Sequence, residues 1–179
     1  LKIELLGRPA AIDGAPGACF VYTTNGRQHI AIRAERRVGN LPEKCFVRLT
    51  QSASTMFNEP WPALKNYSTV NGGAVFELTG AQLVPSRSLV DIKPGRLEEH
   101  YRAGLVVQRG EDLFMLARSN QMEGDVTGIN VKTGELGDIL APGDAEKTTW
   151  FTGWSVVVPQ FERMVEILRF PYPDEPVAT

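Results

Sequence analysis

The chain has 179 residues, a net charge of −2 and a pI near 5.8, with 42% hydrophobic and 22% charged residues. That balance supports a folded core and excludes global disorder, and the slight negative charge excludes an overall attraction to nucleic acid or anionic membrane. No apolar run approaches the roughly 18–20 residues needed to cross a bilayer, so no membrane partner is expected.

In chain order, 2–6 and 10–12 read as short strands. The opening stretch mixes Lys2 and Glu4 with apolar residues and is followed by Gly7-Arg8-Pro9, so it lacks the apolar centre of a signal peptide. A cytoplasmic location is the expectation, with export of a processed precursor left open because the chain begins at Leu1.

Two strands, 18–23 and 28–34, flank Asn25-Gly26. Both central positions of a type I′ turn need φ > 0, which Asn and Gly tolerate best, so this segment reads as a β-hairpin. Alternation puts His29, Ala31 and Arg33 on one face and Ile30 and Ile32 on the other. With the isoleucines in the core, His29 and Arg33 are expected to face solvent. Arg27, Arg33, Arg36, Arg37, Lys44 and Arg48 then make 27–48 a basic region, either a solvated strand edge that resists aggregation or a phosphate-binding surface. Cys45 opens a further strand over 45–49, and it and Cys19 read as reduced core thiols.

Residues 51–73 read as one long loop. Asn58-Glu59-Pro60-Trp61-Pro62 cannot be a central strand, because two prolines remove ladder donors. The prolines frame Trp61 at low entropic cost, making it, with Tyr67, a candidate anchor for a partner. Strands follow at 74–78, 82–84 and 89–92, and a subdivision, if present, falls near 85–94. A short helix is expected over 96–101, where Glu98, Glu99 and His100 could serve general acid–base chemistry. Adjacent helical residues diverge, however, and ordinary surface polarity also explains them.

Strands at 103–108, 112–117, 128–132 and 135–140 form a meander of two hairpins. In the strand over 150–158, Trp150, Thr152 and Trp154 are expected to share one face, with both tryptophans in the core. Phe161, Met164, Val165 and Leu168 recur at i, i+3, i+4 and i+7, which predicts a C-terminal helix over 160–169 after Pro159. The last nine residues, 171–179, hold three prolines and read as an extended tail.

The expected fold is therefore a single mainly-β domain over 1–170, an antiparallel, hairpin-built barrel or sandwich with a C-terminal helix and one long loop. No cofactor or metal is expected. Gly153-Trp154-Ser155 lacks the second glycine of a nucleophile elbow, Asn71-Gly72-Gly73 has no P-loop lysine, and the loop acids lack EF-hand spacing. The leading functional expectation is a non-enzymatic binding or interaction module with a protein partner. A hydrolase using His100 with Glu98 or Glu99, and nucleic-acid binding through the basic 27–48 region, are the alternatives.

Overall fold

The computed structural model describes residues 8–10, 14–39, 41–50, 62–67, 70, 74–89, 103–118, 126–137 and 148–170. They form β1 (Arg8–Pro9), β2 (Cys19–Thr24), β3 (Arg27–Val38), β4 (Leu41–Arg48), β5 (Ala63–Asn66), β6 (Val75–Glu77), β7 (Gln82–Leu89), β8 (Val106–Arg109), β9 (Asp112–Arg118), β10 (Val126–Asn130), β11 (Leu136–Gly137), β12 (Thr148–Gln160) and β13 (Arg163–Phe170). The chain is mainly β, and no α-helix occurs among the described residues.

The strands make one mixed sheet in the order β1-β6-β2-β3-β4-β5-β9-β8-β12-β13, with β10 and β11 added beside β9 and β7 beside β12. Its path ends at β1 and β13 without joining, so the sheet is not a closed barrel. Local hairpins build most of it. The Thr24↔Arg27 pair closes the Asn25-Gly26 turn, where both residues carry the positive φ (50° and 71°) that a type I′ turn demands. The β5–β9 contact, Ala63↔Arg118, is parallel and joins the two halves of the sheet.

The main core forms where the sheet folds back on itself. Val21 from β2, Ile30 and Ile32 from β3, Val47 from β4 and Leu64 from β5 meet Met115, Ile129, Trp154, Val156 and Leu168 from the other half. Trp154 is fully buried, donates Nε1–H to Gly104 O at 3.0 Å, and stacks parallel to Phe170 with ring centroids 5.1 Å apart.

Three sequence-based expectations are corrected here. The C-terminal helix over 160–169 is instead β13, the second strand of a hairpin closed by Gln160↔Arg163. A register shift opposite Val156 and Val157 adds one residue to the strand, so Val165 and Leu168 both turn inward three residues apart. A bulge thus mimics the helical spacing. Second, Trp150 and Trp154 are both core but not on one face. Trp150 joins Leu105, Val107 and Leu116 in a separate cluster, whereas Phe151 and Trp154 belong to the main core, so the alternation slips at Thr152-Gly153. A side chain at Gly153 would meet Ser86 Oγ at 2.8 Å.

The third correction concerns the opposite face of β2–β5. It is covered as well, and His29 and Arg33 lie in the interior there, not in solvent. The rows alternate along β3 as the sequence predicts, but the sheet has no bare side at this place. Phe20, Tyr22, Ala31, Phe46 and Val75 form a second cluster, with Tyr67 stacked on Phe46 at 5.7 Å. The strands expected at 2–6 and 90–92, the helix over 96–101 and the tail over 171–179 lie outside the described residues.

Candidate functional site

Among the described residues, those singled out from the sequence do not converge. Arg27, Arg33 and Arg37 share one face of β3 and Arg36 takes the other. At about 3.3 Å per residue, Arg27 and Arg37 stand roughly 33 Å apart along the strand. Arg33 is fully buried, with its guanidinium carbon 4.9 Å from the centroid of the Phe20 ring and Nη1 3.0 Å from Glu77 Oε2. Arg36 Nε donates to Glu43 Oε2 at 2.7 Å, which holds the Glu43 carboxyl below its ordinary range and raises Arg36. Arg27, Arg33, Arg36 and Arg37 therefore do not share one contiguous exposed face. Tyr67 is spent on the aromatic cluster, and Trp61, Glu98, Glu99 and His100 lie outside the described residues.

His29 Nδ1 lies 2.9 Å from Thr50 Oγ1, and the imidazole packs against Tyr22. Burial, reinforced by the positive charges of Arg48 and Arg27, pushes its pKa down to about 4. It is neutral at physiological pH. Cys19 and Cys45 are free and buried, and burial raises their thiols to about 12 and about 11. Cys19 pairs with Ile32 and Cys45 with Ala34, on opposite sides of β3. Two strand spacings, about 10 Å, exceed the reach of a disulfide. Among the described residues no group of His, Cys, Asp or Glu could hold a metal ion, and no helix is long and apolar enough to cross a membrane.

Among the described residues, two places are open to a ligand or partner. The first is the outer side of β7, β12 and β13. The pairs Ser155↔Val84, Val157↔Gln82 and Pro159↔Met164 set Val84, Val157, Pro159 and Met164 on that side, away from the core row Val156 and Val158. Val84 is 43% and Met164 48% exposed. Phe161, at the tip of the β12–β13 turn, is 99% exposed and holds φ at +55°. Bulky residues are outliers in that region of backbone space. At the other end of the same side, Ser155 donates to Glu166 at 2.6 Å and Arg169 pairs with Glu166 at 2.9 Å. The side is apolar next to the hairpin tip, at Pro159 and Met164, whereas Gln82 stands beside Val157 and Val84 lies beside the polar Ser155–Glu166–Arg169 group. The helical pattern expected over 160–169 concealed Phe161; the signal available was the two-residue spacing between alternating β-branched runs.

The second place is a recess of about 300 Å³ at the open end of the main core, bordered by β3, β5 and the β10–β11 hairpin. The hairpin is held against β3 by Glu35 N–H donating to Gly134 O at 2.8 Å. Gly134 has φ of +73°, and a side chain there would meet Gly17 N at 2.3 Å and Arg33 O at 2.5 Å. Nothing in the chain matches a known protein family, a curated protein or a solved structure.

Proposed function

We propose that the chain is a non-enzymatic interaction module that docks on a protein partner through the apolar outer side of β7, β12 and β13. The partner surface is an apolar cleft that receives the Phe161 ring, with polar groups at its rim facing Glu166 and Arg169. One observation carries this reading. A phenylalanine stands almost wholly in solvent at a turn position where it strains the backbone, and such outliers persist where something other than folding favours them. Pro159 and Met164 support it, because this pair carries the apolar surface from the turn onto the adjoining strands. Exposed aromatic anchors surrounded by such contacts are typical centres of binding energy.

The test places a photo-crosslinking benzophenone side chain at position 161 and, as control, at the exposed turn residue Asn25. A partner captured from position 161 and not from 25 is expected, with Phe161→Ala weakening its binding by about 2 kcal/mol or more. Capture that does not distinguish the two positions, or a partner indifferent to Phe161→Ala, would end the proposal.

A further inference from the structure

We infer that the open edge of β13 is a dimer interface, at which a second copy of this chain adds its own β13 antiparallel, about a twofold axis between Ile167 and Leu168. Among the described residues β13 pairs only with β12, so its other edge is open. The exposed residues Arg163, Met164, Glu166 and Arg169 run along the strand. An edge of this kind offers a row of backbone donors and acceptors to another strand.

The register says which groups stand in that row. Gln160 and Arg163 flank a two-residue turn and exchange backbone hydrogen bonds, and bonded positions then alternate along β12, so Gln160, Val158, Val156 and Trp154 bond to β13. Glu166 and Arg169 lie opposite Val157 and Ser155, the positions in between, and their N–H and C=O groups point to the open edge. Pro85 agrees with this phase. It sits opposite Trp154 on β7, where β12 asks for no donor, and the N–H it lacks is one that would have pointed to the far edge of β7. The outer strands on β12 thus differ: a proline blunts the edge of β7, whereas β13 carries none.

The bulge selects the partner. Ile167 is the extra residue, so Glu166 and Arg169 stand three residues apart, where a regular strand presents outward groups two apart. A regular strand bonded at Glu166 falls out of step at Arg169. A second β13 has the same gap, so Glu166 pairs with Arg169 of the second copy, and Arg169 with Glu166 of the second copy, with both ends in step. The bulge also leaves the Glu166 and Arg169 side chains on the same outer side, where Arg169 already bonds Glu166 at 2.9 and 3.0 Å. Across the seam each carboxylate faces the guanidinium of the other copy, and a guanidinium has donors to spare for it. On the core side Val165 lies opposite Phe170 and Ile167 opposite Leu168 of the second copy. Ile167, Leu168 and Phe170 belong to the main core, which continues across the seam. Opposite charges and apolar side chains facing one another both favour this register, and a slip that set Glu166 opposite itself would oppose like charges. The twofold places the two Phe161 tips at opposite ends of the dimer, so pairing at β13 does not depend on the docking proposed for Phe161.

Sedimentation equilibrium on the intact chain tests this. A reversible monomer–dimer equilibrium is expected between about 10 μM and about 1 mM, as suits a contact smaller than a standard interface. Glu166→Arg and Arg169→Glu each set like charges opposite one another and are expected to weaken self-association at least about tenfold. Both positions are exposed, so the fold tolerates the reversals. Mixed one to one, the two variants present an all-basic outer row to an all-acidic one, and the mixture is expected to dimerise as the parent does. Phe161→Ala is also expected to dimerise as the parent does. A chain that stays monomeric up to about 1 mM overturns the interface. A dimer that tolerates both reversals, or a mixture that associates no better than either variant alone, overturns it too. A dimer lost with Phe161→Ala would place the contact at the hairpin tip and overturn the edge pairing.

Discussion

Arg33 reaches across the ring of Phe20 to place Nη1 3.0 Å from Glu77 Oε2, joining β3 to β6 over the strand that lies between them. The cation is wholly buried, whereas the Glu77 side chain is 39% exposed. Desolvation therefore falls mainly on the arginine. A buried cation stripped of a carboxylate is costly to keep, and the aromatic face beneath it recovers only part of that cost.

Glu77→Ala is accordingly expected to destabilise the fold by about 1.5–3 kcal/mol, the range for a hydrogen bond to a charged group. Other contacts share the Arg33 charge and keep the loss at this level. Arg33→Met, which removes the charge and retains much of the volume, should cost less than Glu77→Ala. Urea denaturation of the two variants measures the difference, and equal losses would mean the pair itself is unimportant.

His29 makes stability fall with acid. Its folded pKa is about 4 against an ordinary 6.5, so between these values the unfolded chain takes up the proton and the folded chain does not. The associated stability is fully present above about pH 6.5 and is lost as pH falls toward 4. It amounts to no more than about 3 kcal/mol. Urea midpoints recorded from neutral pH downward should converge for the parent and His29→Asn, with the parent losing more. Parallel curves would show that the imidazole titrates normally.

Cys19 and Cys45 should be unreactive in the folded protein. Only the thiolate attacks, and thiols raised to about 12 and 11 supply almost none at neutral pH. A chromogenic disulfide reagent is expected to label neither thiol in the native chain and both after denaturation. Fast labelling of native protein would contradict their burial.

What the sequence made legible was local. Asn25-Gly26 announced its hairpin, and the alternation from Gln28 to Ala34 sorted that strand into the right two rows. Which rows were buried was not local information, since residues distant in the chain meet them there, Thr50 at His29 and Glu77 at Arg33. The strand at Arg163–Phe170 was hidden by a bulge whose partner is on β12, so its own spacing misled. The recess was out of reach for a related reason. It forms only where the parallel contact between Glu35 and Glu135 brings β3 and the β10–β11 hairpin together.

Phe161 yields the sharpest separation of stability from function. At φ +55° any residue bearing a Cβ is strained, by about 1–2 kcal/mol for an ordinary side chain, while asparagine tolerates the region far better. With the ring 99% exposed, its removal forfeits almost no burial. Phe161→Ala keeps the Cβ and the strain, so its urea midpoint should match the parent. Phe161→Asn relieves the strain and should gain about 1 kcal/mol. Both substitutions remove the aromatic anchor, so both should weaken the partner captured from position 161. A variant more stable than its parent and poorer at binding is the mark of strain retained for recognition. If Phe161→Asn instead lowers the midpoint, the ring is packed in solution, and the turn gives no reason to look for a partner there.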